Sequence, residues 1–349
     1  MKLFTCSVCS QVLFFENVKC TSCGHALAYL PDRAILSALE TAGGEMLALA
    51  TGQARYRLCR NYTEHAACNW AIPADVQGDY CFACSFDEVI PNLADDKARA
   101  EWHKLERAKR RLFYTLMGLG LPLEPRAKNP RGLAFAFKQD TAAEKVFTGH
   151  SDGLITINIA EANDPFREKM RLQMGEAYRT VLGHFRHEIG HYFEMLLIDG
   201  SPRVPAFRQI FGDESADYQQ ALDRHYKQGA PLDWPQRFVS QYASMHPYED
   251  FAETWAHYLH MVETLETART YGLALRPQPV GGAELPELRA RKLDFDDFDD
   301  LIKGWVPLTL ALNSLNRAMG MQDLYPFVLT EAVRVKLRFV HDLIDSSGS

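Results

Sequence analysis

His187-Glu188-Ile189-Gly190-His191 is the stretch that decides how this chain is read. Two histidines at i and i+4 of a helix point the same way and can share one Zn²⁺. The glutamate between them then lies beside the open coordination position, where it can take a proton from an attacking water, as a zinc hydrolase requires. The surroundings read as helical. Asp164-Pro165 supplies a cap and a first-turn proline, Gly175 divides the pattern, and from Ala177 to Ile198 apolar residues recur at Val181, Leu182, Phe185, Ile189, Phe193, Leu196 and Leu197. That second helix has a core face and a histidine face. His184, one turn earlier, reads as an ordinary core or surface residue.

Catalytic zinc keeps three protein donors and one open position, so a third donor is required from elsewhere. Its best source is Pro247-Tyr248-Glu249-Asp250-Phe251-Ala252-Glu253-Thr254-Trp255-Ala256-His257, where Pro247 suits a helix start and Glu249 and Glu253 share one face. Glu249 is the expected ligand. Glu253, one turn deeper, is expected to accept the free ring N–H of a ligand histidine. Phe251, Trp255, Tyr258 and Leu259 cover the opposite, core-facing side, and His257 and His260 read as satisfied helix residues. Glu253 itself and Asp213-Glu214 stand as alternative ligands.

HEIGH followed by the Glu249–Glu253 pair resembles the gluzincins, metallopeptidases in which a glutamate ligand and an acidic residue four positions later lie on a second helix. The E-x-F-A-E form is similar to the corresponding helix of anthrax lethal factor. That relative has a tyrosine seven residues before its ligand glutamate, which implies an oxyanion-stabilising role for Tyr242; the neighbouring Tyr248 and His246 remain alternatives. The cysteine motifs, HEIGHYFE and HPYEDFAETWAHYLH together resemble the bacterial "putative zinc-binding metallopeptidase" family over most of the chain. The resemblance implies hydrolysis of peptide bonds and a two-lobed, mainly helical metallopeptidase domain with a small β-sheet.

All eight cysteines lie in the first 84 residues. Cys6-x-x-Cys9 and Cys20-x-x-Cys23 have the spacing of a four-cysteine zinc ribbon, and Gly24 permits a tight knuckle. Cys59, Cys68, Cys81 and Cys84 form a looser second set of four, with His25 and His65 as possible substitutes. An even count also permits disulfides. Met1-Lys2-Leu3-Phe4 runs into Cys6 without an apolar stretch, so reduced, zinc-bound thiolates in a cytoplasmic protein are the expectation. One catalytic and two structural zinc ions follow.

With 349 residues, 47% apolar and 24% charged, the chain can bury a large core in more than one domain. The net charge of −7 disfavours broad nucleic-acid binding. Lys104-Leu105-Glu106-Arg107-Ala108-Lys109-Arg110-Arg111 is locally basic but reads as a solvated helix face. No apolar run approaches the ~18 residues of a membrane span.

The expected organisation is α+β: a zinc ribbon and linker over 1–50, with a helical or linking stretch near 34–50; a second Cys₄ module over 51–94; and the metallopeptidase domain over 95–349. Within the last, a helix is expected from Asp95 to Met117, strands at Leu133–Lys138, Val146–Thr148 and Leu154–Ile159, and a turn at Ser151-Asp152-Gly153. The gluzincin resemblance implies an edge strand that lines the cleft and pairs with an extended polypeptide substrate, and Ile155–Ile159 is the candidate for it. Arg269 to Asp299 reads as a loop-rich connection, and Trp305–Ala318 and Leu329–Ile344 as closing helices. The ribbons could recognise a protein partner. Two other readings stand beside the peptidase: a zinc-ribbon protein- or nucleic-acid-binding module on an inactive scaffold, and a zinc hydrolase of non-peptide amides.

Overall fold

The computed structural model describes residues 1–52, 54–142, 144–174, 180–282 and 284–348. Strands β1 (Phe4–Thr5) and β2 (Val12–Leu13) make a hairpin with the first CxxC pair between them. An antiparallel meander follows: β3 (Ala26–Leu30), β4 (Ile35–Ala42), β5 (Glu45–Ala48), β6 (Ala54–Leu58) and β7 (Ala71–Pro73), with a single helical turn, α1 (Arg60–Thr63), before β7. The helical or linking stretch expected near 34–50 is therefore a β-hairpin. Gly43 and Gly44, at φ of 61° and 84°, form its two-residue turn. Along β4, Leu36 and Ala38 face the main core, while Leu39 faces a smaller cluster with Leu30, Ala48 and Tyr56. One sheet thus crosses the divide expected at residue 50.

The next strand, β8 (Asp87–Val89), leaves the cysteine region to pair with the sheet that follows. Helix α2 (Asp96–Gly118) is capped by Asp95, whose carboxylate accepts from the backbone N–H groups of Lys97 and Ala98 at 2.9 and 3.2 Å. Its basic run is only in part a solvated face, with Lys104 and Arg107 exposed. Glu106, Lys109 and Arg110 are buried, and Lys109 Nζ bonds Glu106 at 2.7 Å and also Asp87. A charged residue on a helix goes inside when another segment supplies its counter-charge, here β8.

The second sheet is ordered β10-β11-β9-β8, with β9 at Ala134–Lys138, β10 at Gly149–Ser151 and β11 at Leu154–Asn158. Asp152 and Gly153, at φ of 47° and 81°, turn β10 back onto β11. The short strand accordingly lies at Gly149–Ser151 and not at Val146–Thr148. This return corrects the edge assignment: Ile155–Ile159 is not an edge strand, because β11 pairs antiparallel with β10 on one side and parallel with β9 on the other. Ile155 and Ile157 are core residues.

Helices make up most of the remainder: α3 (Asp164–Met174), α4 (Val181–Leu197), α5 (Val204–Phe211), α6 (Tyr218–Gln228), α7 (Trp234–Arg237) and α8 (Pro247–Tyr271). The pair β12 (Ala274–Leu275) and β13 (Leu288–Arg289) interrupts a loop-rich stretch before α9 (Phe298–Ala318) and α10 (Glu331–Asp345). Asn163, not Asp164, caps α3 by accepting from Phe166 N at 3.0 Å, which leaves Asp164 to pair with Arg167 at 2.5 Å. Gly175 and Ala177 lie outside the described residues. The described part of α4 begins after Thr180, whose hydroxyl accepts from Gly183 N at 3.0 Å. Among the described residues no helix is long and apolar enough to cross a membrane.

Helices α4 and α8 cross where Gly190 meets Ala252, and Phe193 stacks on Trp255 with ring centroids 4.9 Å apart. This crossing turns the histidine face of the first helix toward the glutamate face of the second.

Candidate metal centre

At that crossing three lone-pair donors converge. Glu249 Oε2 lies 2.9 Å from His187 Nε2 and 3.4 Å from His191 Nε2, and the two imidazole nitrogens are 3.1 Å apart. All three side chains are buried or nearly so, and Glu249 Oε2 has no hydrogen-bond donor among the described residues. Donors held ~2.0–2.1 Å from a tetrahedral Zn²⁺ stand about 3.3 Å apart, so the triangle has the right size for that ion. Burial alone would depress the His187 pKa, but its contacts with Glu249 and Glu253 outweigh this and push it up; burial would raise Glu249, and the two histidines hold it down instead. Without a cation, the acceptors must share a proton.

Each donor is oriented from behind. His187 Nδ1 lies 2.8 Å from Glu253 Oε1, and Ser240 Oγ donates to the other Glu253 oxygen at 2.7 Å. That contact fixes Nδ1 as the protonated nitrogen in the neutral ring and leaves Nε2 as the lone pair. His191 is held by its face, with the Tyr248 ring stacked on it at 3.7 Å and 13°. Behind Tyr248 stands His150, which accepts from Gly153 N at 3.0 Å through Nε2 and reaches the Tyr248 hydroxyl at 3.3 Å through Nδ1. Burial lowers the His150 pKa to about 4, so its ring is neutral and Nδ1–H is the donor. The β10–β11 turn thereby braces the His191 imidazole.

Glu188 is buried and lines a cavity of 370 Å³ together with His187, Tyr242 and the side chains of Trp234, Phe238 and Phe327. The Tyr242 ring lies 5.9 Å from that of His187. Its two alternatives are committed elsewhere. Tyr248 stacks on His191, and His246 accepts from Tyr248 N at 3.1 Å while its Nε2–H donates to the Ala216 carbonyl at 3.0 Å. Asp213 and Glu214 pair with Arg208, away from the triangle. His184 faces Glu161 at 3.3 Å, His257 meets the Tyr325 hydroxyl at 2.6 Å, and His260 contacts Arg186. Sequence reasoning missed Tyr218, whose hydroxyl donates to Glu249 Oε1 at 2.7 Å, and Ser240. Neither sits at a fixed helical spacing from a motif residue, so nothing in the pattern marked them.

All eight cysteines are free thiols in two groups, Cys6, Cys9, Cys20 and Cys23, and Cys59, Cys68, Cys81 and Cys84. Sulfur separations of 3.6 Å for Cys6–Cys23, Cys9–Cys20 and Cys68–Cys81 suit four thiolates ~2.3 Å from one zinc. Both groups therefore fit that ion, while His25 and His65 turn to Glu40 and Glu64 and stand outside them. The second group is sealed in the core. Backbone N–H groups of Trp70 and Cys81 donate to Cys68 and Cys59 sulfurs at 3.3 Å, and buried Arg110 lies close enough to feel the charges of Cys68, Cys84 and Cys81.

Residues 98–343 match the family described as "Putative zinc-binding metallo-peptidase", and residues 3–95 match a zinc-ribbon domain. An uncharacterized protein of Mycobacterium bovis and two of Mycobacterium tuberculosis, from strains CDC 1551 and H37Rv, are each 43% identical to the chain over 348 residues, covering 99% of it and 96% of the relative. No solved structure matches the chain. Because the first match runs through both helices of the donor triangle and the second through both cysteine groups, the chain belongs to the "putative zinc-binding metallo-peptidase" family and carries an amino-terminal zinc-ribbon domain.

Proposed function

We propose that the chain is a gluzincin-type peptidase, hydrolysing peptide bonds at a zinc ion held by His187, His191 and Glu249. The observation that carries this reading is the convergence of the three donor atoms at the edge of a cavity that His187 and Glu188 line. Zinc there would supply a Lewis acid that polarises the scissile carbonyl and acidifies the attacking water. Glu188 accepts the water's proton and hands it to the leaving amine. Tyr242 donates a hydrogen bond to the oxygen on which negative charge develops. Glu253 holds the His187 ring and takes no part in bond cleavage.

The cavity wall favours a large apolar substrate side chain, since Trp234, Pro235, Phe238, Val239, Phe327 and Val328 face it. The polypeptide would run along β10, the outer strand of the second sheet, which Thr148 of the cavity lining directly precedes. Two further zinc ions would occupy the cysteine groups, where closed Cys₄ shells leave no position for water and support folding instead.

The test compares new protein termini in cells producing the wild type and the Glu188→Gln variant. Termini that appear only with the wild type identify substrates without assuming any. Identical termini in the two, at equal and zinc-loaded protein levels, would remove the peptidase reading.

A further inference from the structure

We propose that Tyr218 is a positioning residue of the metal centre: its hydroxyl holds one oxygen of Glu249 so that the other is presented to the metal. The proposal rests on reading the donor triangle as a zinc site.

A glutamate can bind a metal through one oxygen or both, and its terminal torsion is soft. Here the two oxygens are differentiated. Tyr218 donates to Oε1 at 2.7 Å, a short bond to a carboxylate, while Oε2 meets the two imidazole nitrogens. The tyrosine does for Glu249 what Glu253 does for His187 and the Tyr248 ring for His191. With it, all three donors are held from outside the triangle.

Tyr218 is itself fixed in place. It opens α6, whose preceding Asp217 caps the helix by accepting from Gln220 N at 2.9 Å. Its ring meets His246 edge-on at 5.4 Å and Tyr248 at 6.2 Å. His246 closes the arrangement, because its ring caps α8 through Nδ1 and holds the Ala216 carbonyl through Nε2, buckling the start of α6 onto the start of α8. The long segment between His191 and Glu249 thus delivers a hydroxyl to the ligand from a third helix.

Tyr218→Phe removes the hydroxyl and keeps the ring contacts. The experiment strips the histidine site with a chelator while the cysteine sites stay loaded, then measures zinc affinity by competition for the wild type, Tyr218→Phe, Tyr242→Phe and Glu249→Gln. Melting temperatures of the stripped proteins are taken in parallel. The expected result is that Tyr218→Phe weakens zinc binding about tenfold or more, in the range seen when a ligand's supporting partner is removed, with the melting temperature unchanged. Tyr242→Phe should stay within about twofold of the wild type, because the hydroxyl that holds Glu249 belongs to Tyr218 and the Tyr242 ring, 5.9 Å from that of His187, is kept in this variant. Wild-type affinity in Tyr218→Phe, beside a large loss in Glu249→Gln, would overturn the role of Tyr218 and leave the metal centre standing. Wild-type affinity in Glu249→Gln as well would overturn both. A loss in Tyr218→Phe matched by a lowered melting temperature would make the residue a packing element and also overturn the proposal.

Discussion

Gly190 lies so close to Ala252 that a Cβ built on the glycine would stand 2.9 Å from the Ala252 Cα and 3.1 Å from the Trp255 Cβ. The neighbours on that side are backbone and a ring-bearing Cβ, neither of which yields easily. This glycine is therefore what lets α4 and α8 approach until His187 and Glu249 are 2.9 Å apart.

Gly190→Ala should force the two helices apart. Overpacking of this kind costs about 1–3 kcal/mol, and the same displacement opens the donor triangle. The expected outcome is a lowered melting temperature together with sub-stoichiometric zinc at the histidine site. Full zinc occupancy and an unchanged melting temperature would mean that the helix contact is more pliant than its geometry indicates.

Glu188→Gln and Glu249→Ala should fail differently. The first leaves all three donors in place, so zinc is retained while turnover falls by roughly 10²–10⁴, the usual worth of a general base. The second removes a donor and should lower zinc occupancy and activity together. Elemental analysis alongside a cleavage assay separates them, and retention of both zinc and activity in Glu249→Ala would exclude Glu249 as a ligand.

The arrangement of the centre was legible in the sequence to the extent that helical periodicity governs it. His187 and His191 must share a face of α4, and Glu249 and Glu253 a face of α8, whatever the rest of the chain does. What periodicity could not give was contact between segments. The strand β10, Gly149-His150-Ser151, has little β-branched or aromatic character and pairs because the Asp152-Gly153 turn returns it to β11. The misplaced edge at Ile155–Ile159 follows from missing that return. Lys109 and Arg110 look like solvated charges until Asp87 and the second cysteine group are brought beside them. Tyr218 belongs with these, since only the fold carries α6 to Glu249.

Burial of Lys109 ties the zinc-ribbon region to the domain that follows. Its ammonium joins Asp87 of β8 to Glu106, and its pKa is pushed up because these carboxylates outweigh the desolvation that would lower it. Removing one member of a buried charge group costs about 3–5 kcal/mol, because its partners stay buried unpaired. Lys109→Met should therefore destabilise the whole chain. For the same reason a truncation starting at Asp95, which deletes β8 and Asp87, should be less stable than the full chain and not an independent catalytic unit. Intact protein should hold three zinc ions per chain by elemental analysis. A truncation that melts at the full-length temperature with one zinc would show the two regions to be separable.

Glu194 gives the centre's surroundings a pH dependence. Its side chain is buried on α4, and Oε2 has no hydrogen-bond partner among the described residues. Burial, followed by the charges of Glu249, Glu214 and Asp199, raises its pKa from 4.5 to about 9. The folded chain therefore holds this proton more tightly than the unfolded chain does. The resulting stability is fully present below the unfolded value and is lost progressively as pH rises from there through about 9, because the unfolded state ionises first. Glu194→Gln keeps a neutral group of the same shape and removes the titration. The variant should match the wild type near pH 4.5 and exceed it increasingly toward pH 9, by an amount on the order of a few kcal/mol at the upper end. Denaturant unfolding of both proteins across that window, with zinc occupancy held constant, gives the two curves. Parallel curves would mean that Glu194 is ionised in the folded protein, with a compensating cation or water that its buried position must then accommodate.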